Sequence, residues 1–161
     1  MQCSVCSVRI DYICYQSYMN EEQKILIKSF LAKNQLCVIS TIDAEGFPNS
    51  AAMSFSESDD LEIIFFTLDD TKKFKNIQNN QKVAVTVGWS FEDFITAQYQ
   101  GIASQVNIND SLEYVTRHLE KNPFSKNFIN NPSEAMFIIK PTYIKYSNLK
   151  ADPKEVFEVR F

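Results

Sequence analysis

The sequence predicts a mainly β fold with helices (α+β), a six-stranded antiparallel barrel with flanking helices. Three observations carry this expectation. Six short apolar or alternating segments are bounded by turn residues, as half-buried strands require. Helical patterns occur only at intervals between them, so most strands follow one another with few crossovers, which argues for a barrel and against a doubly wound parallel sheet. Neither G-x-G-x-x-G nor G-x-x-x-x-G-K occurs. The chain has 161 residues, a length that suits one domain. A chain of this size buries roughly 68–70% of its unfolded surface, so no metal or disulfide is needed to hold it.

The elements follow in order. Asn20 and Gln23 form a capping-box signature ahead of a helix that carries Ile25, Ile27, Phe30 and Leu31 through Lys33, with Asn34 as its stop. Leu36–Ile42 is β-branched and apolar, a first strand, and Asp43–Gly46 is a hairpin turn. In Asn49–Ser56, a second strand, Ala51, Met53 and Phe55 face one way and Ser50, Ala52 and Ser54 the other. Leu61–Thr67 is a third strand, continuing the meander. A short helix from Lys72 to about Asn79 places Phe74 and Ile77 inward. Lys82–Trp89 and the long Ile95–Asn107 are the fourth and fifth strands, and Gly101 in the middle of the fifth marks a bend or a close backbone approach. Asp110 with Glu113 repeats the capping-box signature before a helix carrying Leu112, Val115 and Leu119 to about Asn122. Met136–Tyr146 is the sixth strand, broken or bulged at Pro141. No strand is assigned to Ala151–Phe161.

The bulk composition excludes several functions. The formal net charge is −4, and the only basic cluster is Lys72, Lys73 and Lys75; a nucleic-acid partner needs a broad electropositive surface. No apolar run reaches membrane-spanning length, and the N-terminus lacks the pattern of a secretory signal. A cytoplasmic protein with reduced thiols and no membrane partner is expected. Cys3, Cys6, Cys14 and Cys37 lack the second close ligand pair of a zinc site, and no metal is expected. Cys37 reads as a buried core thiol. Residues 1–18 have no amphipathic period and read as an N-terminal arm, or as sequence ahead of a true start at Met19; the domain proper is 19–161.

One segment sets charge against local physics: Phe66-Thr67-Leu68-Asp69-Asp70-Thr71-Lys72-Lys73-Phe74. Lysines stand at a helix N-terminus, where the dipole favours anions. A bound phosphate would resolve the conflict by accepting from the free N–H groups, the Thr71 hydroxyl and both ammonium groups. Simple solvation, helped by Asp69 and Asp70, is the alternative. The small residues Ser50, Ala52 and Ser54 offer backbone against which a flat ring would lie, and Thr96, Gln98 and Gln100 line one face of the fifth strand with neutral donors and acceptors. That stripe also suits a solvent-facing strand.

The ordered set Glu45-Gly46-Phe47-Pro48, Phe66-Thr67, Thr71-Lys72-Lys73, Asn79–Val85, Trp89 and Gln100-Gly101-Ile102-Ala103 resembles the flavin-binding core of the pyridoxamine-phosphate-oxidase-like split β-barrels. With the leading helix, the likeness spans roughly Asn20 to Tyr146. It implies FMN as cofactor. Thr71, Lys72 and Lys73 would hold the phosphate, and Phe66 and Thr67 would line the site. Ala51, Ala52, Met53 and Ser54 would contact the isoalloxazine largely through backbone, and Gln98 or Thr96 would approach from the fifth strand or from a partner subunit. The resemblance also implies a homodimer with flavin at the interface, which would employ Trp89, Phe91 and Phe94. Two departures count against vitamin B6 oxidation itself. Ala51 stands where the true oxidases carry an arginine, and the segment Glu155–Phe161 lacks their C-terminal arginine motif.

The expected function is therefore an FMN-dependent oxidoreductase acting on a small molecule, with no side chain standing out as acid or base. The alternatives are a non-catalytic flavin- or haem-binding protein and a deazaflavin-dependent reductase. His118, the only histidine, reads as a surface or core residue rather than a catalytic one.

Overall fold

The computed structural model describes residues 19–88, 90–129 and 131–161. The expectations for the N-terminal arm with Cys3, Cys6 and Cys14, and for Trp89, lie outside the described residues.

Asn20 caps the first helix as its side chain predicts. Its oxygen accepts from the Gln23 N–H at 2.8 Å, and Gln23 returns a bond to the Asn20 N–H at 3.1 Å. The helix, α1, runs Glu21–Lys33 and buries Ile27, Phe30 and Leu31; Ile25 faces solvent. The strands are β1 (Leu36–Ile42), β2 (Pro48–Ser54), β3 (Ser56–Glu57), β4 (Ile63–Leu68), β5 (Lys82–Val87), β6 (Ile95–Val106), β7 (Glu134–Asn148) and β8 (Glu155–Arg160). Helix α2 spans Lys72–Asn79 and α3 spans Leu112–Lys121.

The strands form one curled antiparallel sheet. Seven follow the order β2-β1-β5-β6-β7-β4-β3, and β8 adds to β7 off that path. The expected count of six is thus too low. The second predicted strand divides at the buried Phe55 into β2 and β3, and β8 forms in the tail that carried no assignment. The meander of the first three strands is also corrected. β4 pairs with the end of the second predicted strand only through the two-residue β3, Ser56↔Ile64 and Glu57↔Ile63, and not with β2; its long partner is β7, from Ile63↔Ile139 to Leu68↔Glu134. Curling brings β2 back towards β4, so the barrel is only partly closed. The main core fills its interior with Cys37, Ile39, Phe55, Phe65, Val85, Tyr99, Phe137 and Ile144 among others, and α1 packs across one end.

Gly101 has the predicted role. The β6–β7 register shifts between Gln100 and Gly101, opposite Pro141, and β7 continues through the proline to Asn148. A Cβ at Gly101 would lie 2.6 Å from the Lys140 carbonyl oxygen and 2.7 Å from Ile139 Cγ2. Gly101→Ala should therefore destabilise the fold by about 2 kcal/mol, through overpacking against backbone that cannot yield. A urea midpoint equal to that of the wild type would refute this.

Helix α3 begins differently from its expected start. Asp110 ends a short 3-10 turn over Ile108–Asp110, and Ser111 occupies the cap position without a side-chain bond. Leu112 is exposed, and His118 takes the inward position beside Val115. His118 is fully buried, with Nδ1 3.2 Å from Ser56 Oγ, Nε2 3.3 Å from Ser125 Oγ, and its ring against Phe66 at 4.7 Å between centroids. Ile64, Phe66, Val115 and Met136 complete this second core on the outer face of the sheet.

Burial lowers the His118 pKa to about 4, with nearby Lys121 acting in the same direction. The unfolded imidazole takes up a proton near pH 6.5 while the folded one stays neutral, so stability is fully present above that pH and is lost as pH falls towards 4. Between pH 6.5 and 5 this group alone should cost about 2 kcal/mol. Urea unfolding across that range should show a shallower pH slope in His118→Gln; equal slopes would contradict it. No helix among the described residues is long and apolar enough to cross a membrane.

Candidate functional site

β4 ends at Leu68, and Asp69 and Asp70 turn the chain into α2. Thr71 is the N-cap. Its hydroxyl lies 3.4 Å from the Phe74 N–H and 3.0 Å from Thr67 Oγ1, and donates to the Leu68 carbonyl at 2.8 Å. The Thr71 hydroxyl is thus committed to the turn. The next two N–H groups, those of Lys72 and Lys73, have no intrahelical partner, as at every helix start. The first turn holds no acidic residue.

The β1–β2 turn stands beside this helix start. Asp43 Oδ1 accepts from the N–H groups of Phe47 at 2.9 Å and Glu45 at 3.1 Å, and its Oδ2 accepts from Asn49 Nδ2 at 3.1 Å. The Phe47 N–H above all holds the Asp43 carboxyl below its usual range. Lys72 Nζ lies 3.8 Å from Asp43 Oδ2 with its side chain 70% exposed. Lys73 is half-buried, and burial lowers the pKa of its ammonium, opposed by Asp70. Among the described residues Lys73 has no ion-pair partner. Deeper in α2, Asn76 Nδ2 donates to Thr41 Oγ1 at 2.9 Å, which fixes the helix to β1.

β2 borders the same corner. Among the described residues its only hydrogen-bonded strand neighbour is β1, in the register Ser54↔Leu36, Met53↔Cys37, Ala52↔Val38 and Ala51↔Ile39. Met53 packs towards the core, while Ser50 and Ala52 are exposed on the outer face. Phe66 and Thr67 are adjacent in β4 and project to opposite faces, Phe66 onto His118 and Thr67 onto Thr71. Phe66 therefore reaches the Thr67 side only through its backbone.

Gln98 pairs with Thr86, Thr86 with Val38, and Val38 with Ala52, so the four lie in one row across the outer face. Three strand spacings separate Gln98 from Ala52, about 14 Å. Thr96 lies beyond the last β5–β6 pair, Val87↔Ala97. Within one chain, then, Thr67 meets Thr71 and Lys72 meets the turn that leads into β2, while Gln98 and Thr96 stand apart. On the same outer face Ile42, Pro48, Ala84, Gln100 and Ile102 border an open, mostly apolar groove of about 580 Å³. Cys37 is fully buried and its thiol is pushed up to about 12 by desolvation, which makes it inert. Among the described residues no group of three or more metal-ligating side chains gathers.

Asp43 is the residue that sequence reasoning read only as part of a turn. Asp at the start of D-A-E-G, with Asn six residues later, is the signal for a side chain that accepts from its own turn; its proximity to Lys72 is non-local.

The family model for pyridoxamine 5'-phosphate oxidase matches residues 24–148. Pyridoxine/pyridoxamine 5'-phosphate oxidase 2 from Hydrogenovibrio crunogenus is 27% identical over 103 residues, which are 64% of this chain and 46% of that protein. The matched part thus spans less than half of that relative's length. The general stress protein 26 of Bacillus anthracis superposes with a TM-score of 0.67 at 23% identity, over 86% of this chain and 98% of that one. A haem-binding protein from Mycobacterium smegmatis superposes with a TM-score of 0.73 at 11% identity, over 83% of this chain and 56% of that one. These structural likenesses share the fold, and with the sequence match over residues 24–148 the chain belongs to the pyridoxamine 5'-phosphate oxidase family.

Proposed function

We propose that this protein binds FMN at the α2 corner and acts as a flavin-dependent oxidoreductase on a small molecule, as a homodimer with the flavin at the interface. The observation that carries the reading is the start of α2. Two N–H groups without an intrahelical partner, two lysines and no first-turn acid stand against the turn that leads into β2, a strand of small residues. This is an anion site next to a surface that a flat ring can approach.

The residues present fit FMN. Lys72 and Lys73 would hold the phosphate with their N–H and ammonium groups. Thr71 would keep the helix start in place, since its hydroxyl is engaged in the turn. Ala51, Ala52, Met53 and Ser54 would contact the ring largely through backbone, since Met53 turns its side chain towards the core. FMN supplies the hydride chemistry, and the protein supplies position and electrostatics. Gln98 and Thr96, about 14 Å along the sheet from Ala52, would serve a partner's flavin. Among the described residues nothing covers the outer face of β2, β1, β5 and β6, which supports a second subunit there. Ala51, in the place of the oxidases' arginine, weighs against pyridoxine phosphate as substrate.

A haem-binding relative of the same fold raises the alternative of haem. His118 disfavours it: it is the only histidine, fully buried, with a serine hydroxyl at each ring nitrogen. Titration with FMN should quench its fluorescence and raise the thermal midpoint of the protein, and nicotinamide cofactors should then bleach the bound flavin. No quenching and no stabilisation would overturn the reading, and quenching without reduction by any donor would leave a carrier of flavin. Mass spectrometry of the bound chromophore separates FMN from a deazaflavin, and light scattering at micromolar concentration tests the dimer.

A further inference from the structure

We infer that Asp43 is a positioning residue for the anion site, holding the Lys72 ammonium over the corner between α2 and β2; the inference rests on the FMN reading above. Lys72 is the first residue of α2 and its side chain is largely exposed, so unrestrained it would sample many rotamers in water. Asp43 differs from an ordinary surface carboxylate. Three donors, the N–H groups of Phe47 and Glu45 and the Asn49 amide, fix both of its oxygens, and only 18% of its side chain is exposed. It is therefore an immobile anion, kept ionised by the turn that it organises.

Lysine carries three N–H donors. At 3.8 Å the contact with Asp43 is an ion pair that spends none of these donors, so they remain for a phosphate at the N–H groups of Lys72 and Lys73. Carboxylate, ammonium and phosphate then form a chain in which the cation stands between the anions. The charged groups facing this corner are Asp43, Lys72, Lys73 and, on the preceding turn, Asp70. Lys73 needs no such tether, because burial of its stem already limits it. The arrangement predicts that the negative charge of Asp43 aids binding of an anion, which simple Coulomb repulsion would not.

A double-mutant cycle with Asp43→Asn and Lys72→Ala tests this, using FMN and riboflavin as probes and the thermal midpoint of each ligand-free variant as a folding control. Asp43→Asn should weaken FMN roughly threefold, the scale of an exposed ion pair, and leave riboflavin unchanged. In the Lys72→Ala background the same substitution should leave FMN affinity unchanged or raise it, since only repulsion is then removed. Asp43→Glu, which keeps the charge, should restore part of the loss. Tighter FMN binding by Asp43→Asn alone would overturn the inference. So would an equal loss for riboflavin, or the same loss with Lys72 absent, because the residue would then act through the turn. Failure of the wild type to bind FMN is the separate result that removes the flavin reading itself.

Discussion

Replacing Lys121 with Met should lower the unfolding free energy by about 3 kcal/mol or more. Lys121 Nζ bonds Glu57 Oε2 at 2.5 Å and the Leu31 carbonyl at 2.8 Å, and stands 3.9 Å from the centroid of the Phe55 ring. The two charged side chains are only 13% and 11% exposed. One ammonium thus ties the end of α3 to β3 and to the last turn of α1. Methionine fills similar volume but leaves the Glu57 carboxylate shielded from water without its cation, and breaking one side of such a pair costs far more than the pair contributes. Burial lowers the pKa of Lys121 and the Glu57 contacts oppose the shift, so the pair works as a unit. Glu57→Gln combined with Lys121→Met should regain much of the loss, and a coupling near zero in that cycle would show that the contact is incidental. A single-variant loss within 1 kcal/mol, by urea unfolding at pH 7, would contradict the expectation.

The second large effect concerns the cofactor. Lys72→Ala with Lys73→Ala should weaken FMN about a hundredfold or more while changing riboflavin little. A phosphate carries close to two negative charges at neutral pH, and each charge-assisted contact contributes roughly 1.5–3 kcal/mol. Losing two near-additive contacts gives that factor. The fold should survive, because Lys72 is mostly exposed, neither lysine belongs to the buried core, and cations at a helix start bring no dipole benefit. Parallel fluorescence titrations with the two flavins decide the matter. Equal losses would mean that the lysines act on the barrel, and no loss would mean that this helix start is merely solvated.

What was legible in the sequence was local. Asn20 with Gln23 and the Asp43–Gly46 turn each announce themselves within six residues, and each forms as read, whereas the Thr71 hydroxyl, read as a donor to a phosphate, caps its own helix and bonds the Leu68 carbonyl instead. Gly101 was legible because a glycine inside a strand has few other reasons to be there. The pairing of β4 with β7 was not, since residues about 70 positions apart leave no mark on each other in one sequence. The same holds for His118, whose partner Ser56 lies 62 residues away. Asp110 with Glu113 misled because the Asn107 side chain caps Asn109 and starts a 3-10 turn first. β8 escaped because Glu-Val-Phe-Glu-Val-Arg alternates imperfectly and finds its register only against β7. For the candidate site, chemistry was readable and placement was not: the lysines could be named, but neither Asp43 beside Lys72 nor the gap between Gln98 and Ala52.

β2 ends the sheet path, and among the described residues no strand is bonded to the row of backbone N–H and C=O groups on its far edge. From Pro48 to Ser56 the sequence holds no charged side chain, so the usual deterrents to a stray incoming strand are missing. What restrains the edge is its shortness: a proline opens it, and the inward turn at Phe55 closes it after seven residues. Colloidal behaviour should therefore track this strand more than any part of the core. Concentrated solutions of the protein without ligand or second subunit would be the first to turn cloudy, and lysine at the outward-facing Ala52 would be the simplest change to keep them clear.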